Sequence, residues 1–183
     1  MLDGTWPRQQ SMGAETAGKT LGLIGFGSIA RVTARKAKAL GMAVVAFDPF
    51  VPEGDGCWQD TKKIEPLGDL LSQADVVSLH VPLTDITRHL IDAEALAQMK
   101  PGAILINAAR GGTVDEKALV EALRSGHLKA AALDVFETEP LAQDAAAHFA
   151  GVPNLVLTPH IAGITIESNQ RVSQVTMENV VRV

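Results

Sequence analysis

The chain has 183 residues, of which 46% are hydrophobic and 20% charged, and its formal net charge is −5. This length suits one domain with a sizeable core and is short for two. The sequence has no basic cluster and no run approaching the roughly 20 apolar residues that cross a bilayer, so we expect neither a nucleic-acid nor a membrane partner. A cytoplasmic protein that acts on small molecules is the expectation.

Apolar runs alternate with stretches of helical spacing along the chain. The runs predict six strands, at residues 21–24, 43–47, 76–79, 103–106, 130–133 and 155–157. Helical spacing predicts helices at residues 32–40, 93–99, 117–123, 142–149 and, as a last amphipathic helix, 165–183. Thr113 and Glu116 have capping-box spacing, Asp92 can cap a helix, and Gly126 stands where a helix should end. This alternation predicts an α/β fold in which helices cover both faces of a parallel sheet.

A glycine-rich turn joins the first predicted strand to the first helix, in the segment 25–30 (GFGSIA). Gly25 permits a tight turn, Gly27 lets the backbone approach a pyrophosphate, and Ala30 is small enough for close helix packing. The anion would lie at the helix N-terminus, where unpaired N–H groups favour negative charge. The pattern predicts a dinucleotide site.

Asp48 ends the second apolar run, roughly 20 residues beyond Gly27, where a carboxylate meets the adenosine ribose diol. The same carboxylate would repel a 2′-phosphate, and residues 49–51 offer no arginine that would compensate. We therefore expect NAD rather than NADP. The alternative is that Asp48 and Pro49 merely start a turn.

Polar residues follow the later strands, at the sheet edge where ligands collect. The planar fork of Arg110 would hold a carboxylate and polarise an adjacent keto oxygen. His160 would donate a proton to that oxygen as hydride arrives, while Glu139 would orient the imidazole and favour its charged form. Asp134 is better placed to meet the cofactor carboxamide. Each assignment has a structural alternative, in which Arg110 pins its loop, Glu139 is an exposed turn residue and His160 satisfies a backbone carbonyl.

Four segments in order resemble the D-isomer-specific 2-hydroxyacid dehydrogenases: 25–30 (GFGSIA), 107–116 (NAARGGTVDE), 134–140 (DVFETEP) and 158–163 (TPHIAG). The resemblance implies a Rossmann-type doubly wound parallel sheet and NAD-linked interconversion of 2-keto and (R)-2-hydroxy acids. It also implies catalytic roles for Arg110, Glu139 and His160. Ala30 departs from the usual third glycine, but it is a tolerated small residue.

Cofactor contacts are expected at the ends of several strands. The resemblance places the nicotinamide half of the cofactor near Val81, Pro82, Thr87 and residues 108–110. The full set of expected NAD contacts is Gly25, Gly27, Ser28, Ile29, Asp48, Val81, Pro82, Thr87, Ala108, Ala109, Arg110, Asp134, His160, Ala162 and Gly163.

We interpret residues 1–183 as a single NAD-binding domain. Residues 1–17 form a polar N-terminal approach that contains Trp6, and residues 165–183 form a helix that leads out towards a substrate domain. In the family that second domain is built from sequence before and after this one. The resemblance therefore implies a fragment of low activity by itself, and a homodimer, because family members pair through this domain.

The same residues leave one alternative function open and exclude several kinds of site. Related transcriptional corepressors share these motifs, so a module that senses NADH without turnover is the alternative function. The absence of tyrosine excludes a tyrosine proton donor, and the single cysteine, Cys57, excludes a disulfide and a thiolate zinc site. Four histidines lack metal-site spacing and are interpreted as surface or loop residues: His80, His89, His127 and His148.

The sequence motifs do not single out one substrate. Glyoxylate, hydroxypyruvate, 3-phosphoglycerate and sulfolactate types are all compatible with the motifs. The segment 163–169 (GITIESN) faintly resembles the sulfolactate group.

Overall fold

The computed structural model describes residues 4, 6, 8, 9 and 12–182. The strands in this part are β1 (Thr20–Ile24), β2 (Ala43–Phe47), β3 (Lys62–Lys63), β4 (Val76–Leu79), β5 (Ile104–Asn107), β6 (Ala130–Leu133) and β7 (Leu155–Leu157). All pair in parallel, in the order β3-β2-β1-β4-β5-β6-β7. The order reverses at β1, so a crevice opens beyond the carboxyl ends of β1 and β4.

The α-helices of the described residues are α1 (Ser28–Ala39), α2 (Leu67–Gln73), α3 (Ala93–Gln98), α4 (Glu116–Arg124), α5 (Gln143–Ala146) and α6 (Ile166–Val181). Three alanines on one face of α1, Ala30, Ala34 and Ala37, are buried, so this helix lies close against the sheet. The Asp92 carboxylate accepts the Ala95 N–H and caps α3, as predicted.

Side chains alternate between the two faces of the sheet and form two cores. Leu21 and Leu23 of β1 face α1, whereas Ile24 packs with the larger cluster that contains α2, α3 and α4. Gly22 lies on this second face, where a Cβ would come within 2.7 Å of Leu70 on α2. The missing side chain lets α2 pack directly on the central strand.

The predicted Rossmann-type fold class and all six predicted strands are confirmed, and β5 begins one residue later than expected. Gly126 follows the end of α4 with φ +75°, as expected for a helix end. The predicted capping box of Thr113 and Glu116 is wrong. The cap of α4 is Asp115, whose carboxylate accepts the N–H groups of Lys117 and Ala118.

Strand β3 and helix α2 were not predicted, and one helix was predicted as too long. Strand β3 is only two lysines at the sheet edge, and α2 is a single seven-residue helix that begins after Pro66, so neither gives a long periodic pattern. The helix expected over 142–149 is the short α5 followed by a 3-10 turn, Ala147–Phe149.

Helix α6 carries exposed apolar side chains, among them Ile166, Val172 and Met177, and has no buried residue in the described part of the chain. Its N-terminus is capped by Thr165, which exchanges hydrogen bonds with Ser168. No helix within the described residues combines the length and apolarity that crossing a membrane would require.

Candidate active site

The glycine turn between β1 and α1 is open to a ligand. Gly25 has φ +87°, and a Cβ there would lie 2.7 Å from the carbonyl oxygen of His80, so this position requires glycine. A Cβ at Gly27 would meet no atom within 4 Å. Among the described residues no side chain caps α1, which leaves the N–H groups of Ser28 and Ile29 available. The free space and the uncapped helix end fit the pyrophosphate of NAD.

Asp48 is fixed beside this turn by two backbone amides. Its Oδ2 accepts the N–H of Phe26 at 2.8 Å, and its Oδ1 accepts that of Phe50 at 3.0 Å. The second bond means that Asp48 also starts a turn, so the structural alternative and the predicted ribose contact are compatible. Arg31 was overlooked in the sequence: its Nε donates to the carbonyl oxygen of Phe26 at 2.9 Å, which places a guanidinium near the same turn.

Hydrogen bonds within the loop after β4 fix its shape. Thr87 Oγ1 donates to the carbonyl oxygen of Pro82 at 2.6 Å and accepts the N–H of Thr84 at 2.8 Å. His80, which starts this loop, is partly buried, and burial lowers its pKa. The expected contacts of Val81, Pro82 and Thr87 with the cofactor stay predictions.

The loop after β5 is organised around Asn107. The buried Asn107 amide donates to the carbonyl oxygen of Arg110 at 3.0 Å and to Thr113 Oγ1 at 3.1 Å, and its oxygen accepts the Ala109 N–H at 3.1 Å. Thr113 Oγ1 also donates to the Arg110 carbonyl oxygen at 2.7 Å. Asn107 thus holds the backbone of residues 108–110 while the Arg110 side chain stays exposed. Sequence reasoning missed this role, although an asparagine at a strand end was a visible signal.

Asp134 holds the loop after β7. Its carboxylate accepts the Thr158 hydroxyl at 2.5 Å and the N–H groups of Ile161 and Ala162 at 2.9 Å each. Burial raises the pKa of Asp134, but these three hydrogen bonds and the proximity of His160 together leave the pKa below its ordinary value. The role as loop anchor was not foreseen, and the expected contact with the cofactor carboxamide stays a prediction.

Glu139 and His160 form a hydrogen-bonded pair. His160 Nδ1 lies 2.7 Å from Glu139 Oε2, and the other oxygen of Glu139 accepts the Phe136 N–H at 2.9 Å. The bond to His160 and then the bond from Phe136 lower the pKa of Glu139, so this carboxyl stays charged at neutral pH. The His160 side chain is 50% exposed, which leaves the far side of the ring accessible.

The sheet brings the three predicted catalytic residues to one edge. Asn107 of β5 is level with Leu133 of β6, which is level with Leu157 of β7, so the three following loops start side by side. Arg110 lies on the first loop, Glu139 on the second and His160 on the third. A cavity of about 630 Å³ is lined by Phe136, Leu141, Leu157 and Thr158 as well as by the Glu139–His160 pair.

The guanidinium of Arg110 bonds the carbonyl oxygen of Ala109 at 2.6 Å rather than the Glu139–His160 pair. The Arg110 side chain therefore stays on its own loop, the loop after β5, where its partner is the backbone of the preceding residue. The loop that carries it is docked on the second loop at Gly111, where a Cβ would overlap the carbonyl of Phe136.

The other four histidines were interpreted as surface or loop residues. This interpretation is wrong for His148, whose Nε2 is buried. His127 Nε2 lies 3.0 Å from the carbonyl oxygen of Leu96. In the part of the chain that the structure describes, no three His, Cys, Asp or Glu residues are grouped to hold a metal ion.

A parallel sheet with a glycine turn at its switch point and an acidic residue after β2 defines a Rossmann-type NAD-binding domain. The chain belongs to the D-isomer specific 2-hydroxyacid dehydrogenases: the family model of their NAD binding domain matches residues 1–162. This result confirms the resemblance seen in the four sequence segments and the expected cofactor.

Known relatives agree with this assignment. A (S)-sulfolactate dehydrogenase from Chromohalobacter salexigens is 60% identical over 182 residues, covering 100% of this chain and 58% of the relative. A hydroxypyruvate reductase from Thermotoga maritima is 44% identical over 180 residues, or 98% of this chain and 58% of the relative. The chain thus spans under two thirds of the length of these curated relatives.

Solved structures give the same picture. A D-lactate dehydrogenase from Aquifex aeolicus, solved with NAD and lactic acid, matches with a TM-score of 0.85 and 35% identity. The match covers 93% of this chain and 55% of that one.

Docking of the Arg110 loop on Phe136 predicts that Gly111→Ala is strongly destabilising. Because the added methyl group would overlap backbone atoms that cannot rotate away, we expect a loss of about 2–3 kcal/mol in the free energy of unfolding, measured in urea. Gly54→Ala is the control, since a Cβ there meets nothing within 4 Å and should change stability by under about 0.5 kcal/mol. Equal stability of the two variants would contradict the proposed docking.

Proposed function

We propose that this chain is the NAD-binding and catalytic domain of a D-2-hydroxyacid dehydrogenase, which interconverts 2-keto acids and (R)-2-hydroxy acids. The observation that carries the proposal is the 2.7 Å contact between His160 and Glu139 at the carboxyl edge of the sheet. A carboxylate bound to one ring nitrogen fixes the ring and directs the other nitrogen towards a substrate. The alternative, a histidine that satisfies a backbone carbonyl, does not account for this carboxylate partner.

NAD supplies the redox chemistry when bound, as it donates or accepts a hydride at the nicotinamide. Gly25, Gly27, Ser28 and Ile29 would hold its pyrophosphate, and Asp48 its adenosine ribose. In reduction of a 2-keto acid, the His160 imidazolium gives its Nε2 proton to the keto oxygen. In the reverse direction the neutral ring removes the hydroxyl proton.

Arg110 would orient the substrate. A guanidinium forms two parallel hydrogen bonds with a carboxylate, and a further N–H can polarise the neighbouring keto oxygen. Asn107 and Thr113 fix the backbone of Arg110, so the fork starts from a rigid base. Only the terminal guanidinium would have to leave the Ala109 carbonyl to reach a substrate.

The substrate class proposed is a small 2-keto or 2-hydroxy acid. The 60% identical relative named as an (S)-sulfolactate dehydrogenase favours a sulfonated acid, and the hydroxypyruvate reductase makes hydroxypyruvate the second choice. The S descriptor is consistent with D-specific chemistry, because sulfur outranks the carboxyl group in the naming rule while the spatial arrangement is unchanged.

The assembly and location are part of the same proposal. We propose a cytoplasmic homodimer, supported by the resemblance to a family whose members pair through this domain. The net charge of −5 without a basic cluster supports a small-molecule partner rather than nucleic acid or a membrane.

Replacement of His160 by asparagine tests the proposed catalytic role. The variant loses the proton donor, so kcat for NADH oxidation should fall by about 10²–10⁴-fold. The measurement uses the complete polypeptide that contains this chain, with sulfopyruvate, hydroxypyruvate, glyoxylate and pyruvate as substrates. His127→Asn is the control and should retain turnover, because His127 precedes β6 and lies at the opposite edge of the sheet from the site.

Turnover with none of these acids, or full activity in His160→Asn, would contradict the proposal. NADH-dependent capture of a protein partner without turnover would favour a redox-sensing corepressor module instead.

Asp48 is proposed to set the preference for NAD over NADP. Asp48→Asn keeps an oxygen that can accept the Phe26 N–H but removes the charge that repels a 2′-phosphate. We expect the dissociation constant for NAD to rise about tenfold and that for NADP to fall, with the Arg31 guanidinium near the turn assisting the second change. Calorimetry on both cofactors measures the two constants, and tighter binding of NADP than NAD by the unmodified chain would contradict this role.

A further inference from the structure

Glu116 is a buried carboxylate for which the proposed mechanism has no use. It is 7% exposed, at the start of α4, and burial raises its pKa. Asp115 already caps this helix, so Glu116 is not needed as a cap. Since glutamate is rarely buried without partners, the contacts of its carboxylate identify its role.

Those contacts tie α4 to the loop after β6. Glu116 Oε1 accepts the N–H of Glu137 at 2.7 Å, and in return Glu137 Oε1 lies 3.3 Å from the N–H of Glu116. The exchange joins two backbone segments that are 21 residues apart in sequence. Glu137 Oε1 is also 3.2 Å from His89 Nε2, so a third loop joins the same point.

The other side of Glu116 is closed by the 3-10 turn before β7. His148 Nε2 is buried 3.2 Å from Glu116 Oε2, and the adjacent Phe149 packs edge-on against Phe136 with ring centroids 6.0 Å apart. The turn thus contacts both Glu116 and the residue whose N–H holds Glu139. The charged and titratable groups that face Glu116 across these contacts are Glu137 and His148.

The geometry has a direct bearing on the Glu139–His160 pair. Phe136 and Glu137 are consecutive, and their N–H groups are held by the carboxylates of Glu139 and Glu116 respectively. Fixing the Glu137 amide therefore fixes the base of the short turn 136–139, whose last residue holds His160. Within the described residues, the bond to Glu116 is the hydrogen bond by which the Glu137 N–H attaches this turn to a helix.

We propose that Glu116 is a positioning residue: by exchanging hydrogen bonds with Glu137 it holds the turn 136–139 in the place that aligns Glu139 with His160. Its effect on turnover rests on the proposed dehydrogenase function. Its effect on the orientation of His160 does not depend on that function.

Two substitutions of similar volume separate the hydrogen bond from the packing. Glu116→Gln keeps an oxygen for the Glu137 N–H, whereas Glu116→Met fills the space without a comparable acceptor. Glu121→Gln is the matched control, since Glu121 lies on the same helix with its side chain 75% exposed. Glu116→Ala removes the same acceptor with a smaller side chain, and it serves if Glu116→Met does not fold.

The first measurement uses the chain with ¹⁵N-labelled histidine, and the His160 signals are assigned by their loss in His160→Asn. In the unmodified chain, neutral His160 should carry its proton on Nδ1, facing Glu139. Glu116→Gln and Glu121→Gln should keep this tautomer. Glu116→Met, or Glu116→Ala in its place, should give a mixture of the two tautomers because the turn 136–139 is released.

The second measurement is turnover by the complete polypeptide that contains this chain. A misplacement of about 1 Å can cost about 100-fold in rate, so we expect Glu116→Met to lower kcat by about 10–100-fold with KM for NADH changed by less than about twofold. The kcat of Glu116→Gln should be at least about tenfold higher than that of Glu116→Met.

A folded Glu116→Met variant with the original His160 tautomer would overturn the proposal, even if its melting temperature fell, because the role would then be structural only. A complete polypeptide that never oxidises NADH would contradict the proposed dehydrogenase function, whereas the tautomer measurement would still decide the role of Glu116.

Discussion

The hydrogen bond between His160 and Glu139 depends on carboxylates that hold the two loops in place. His160 has φ +52°, a left-handed conformation that is unfavourable for a residue with a side chain and persists only where the surroundings impose it. The three hydrogen bonds that Asp134 accepts from Thr158, Ile161 and Ala162 impose it here. In this backbone conformation the imidazole points at Glu139. The hydrogen bonds to Asp134 therefore orient the proposed acid.

The parallel sheet makes this arrangement possible. Because β5, β6 and β7 end level with one another, three separate loops begin from one rigid edge. Each loop is then fixed by one polar side chain near the end of a strand or helix: Asn107 for the first, Glu116 for the second and Asp134 for the third. Rigid elements thus carry the anchors and exposed loops carry the reactive groups, which is how a scaffold presents a preorganised site.

The sequence contained enough to predict the fold class, six strands, the glycine turn and the Glu139–His160 pair, because each has a periodic pattern or belongs to an ordered motif. It could not reveal the anchors. Asp134 was assigned to the cofactor and Glu116 to a capping box, since spacing along the chain does not show which amides a carboxylate reaches across 21 or more residues. Strand β3 and helix α2 were missed because two lysines and seven residues are too short to show a period.

The convergence of Arg110, Glu139 and His160 on one substrate is tested by a crystal structure of the complete polypeptide with NADH and a non-reducible 2-keto acid analogue. We expect His160 Nε2 to lie within hydrogen-bond distance of the keto oxygen, the Arg110 fork to bind the carboxylate and Glu139 still to hold Nδ1. An analogue bound away from these three side chains, or a His160 ring turned from Glu139 in the complex, would contradict it.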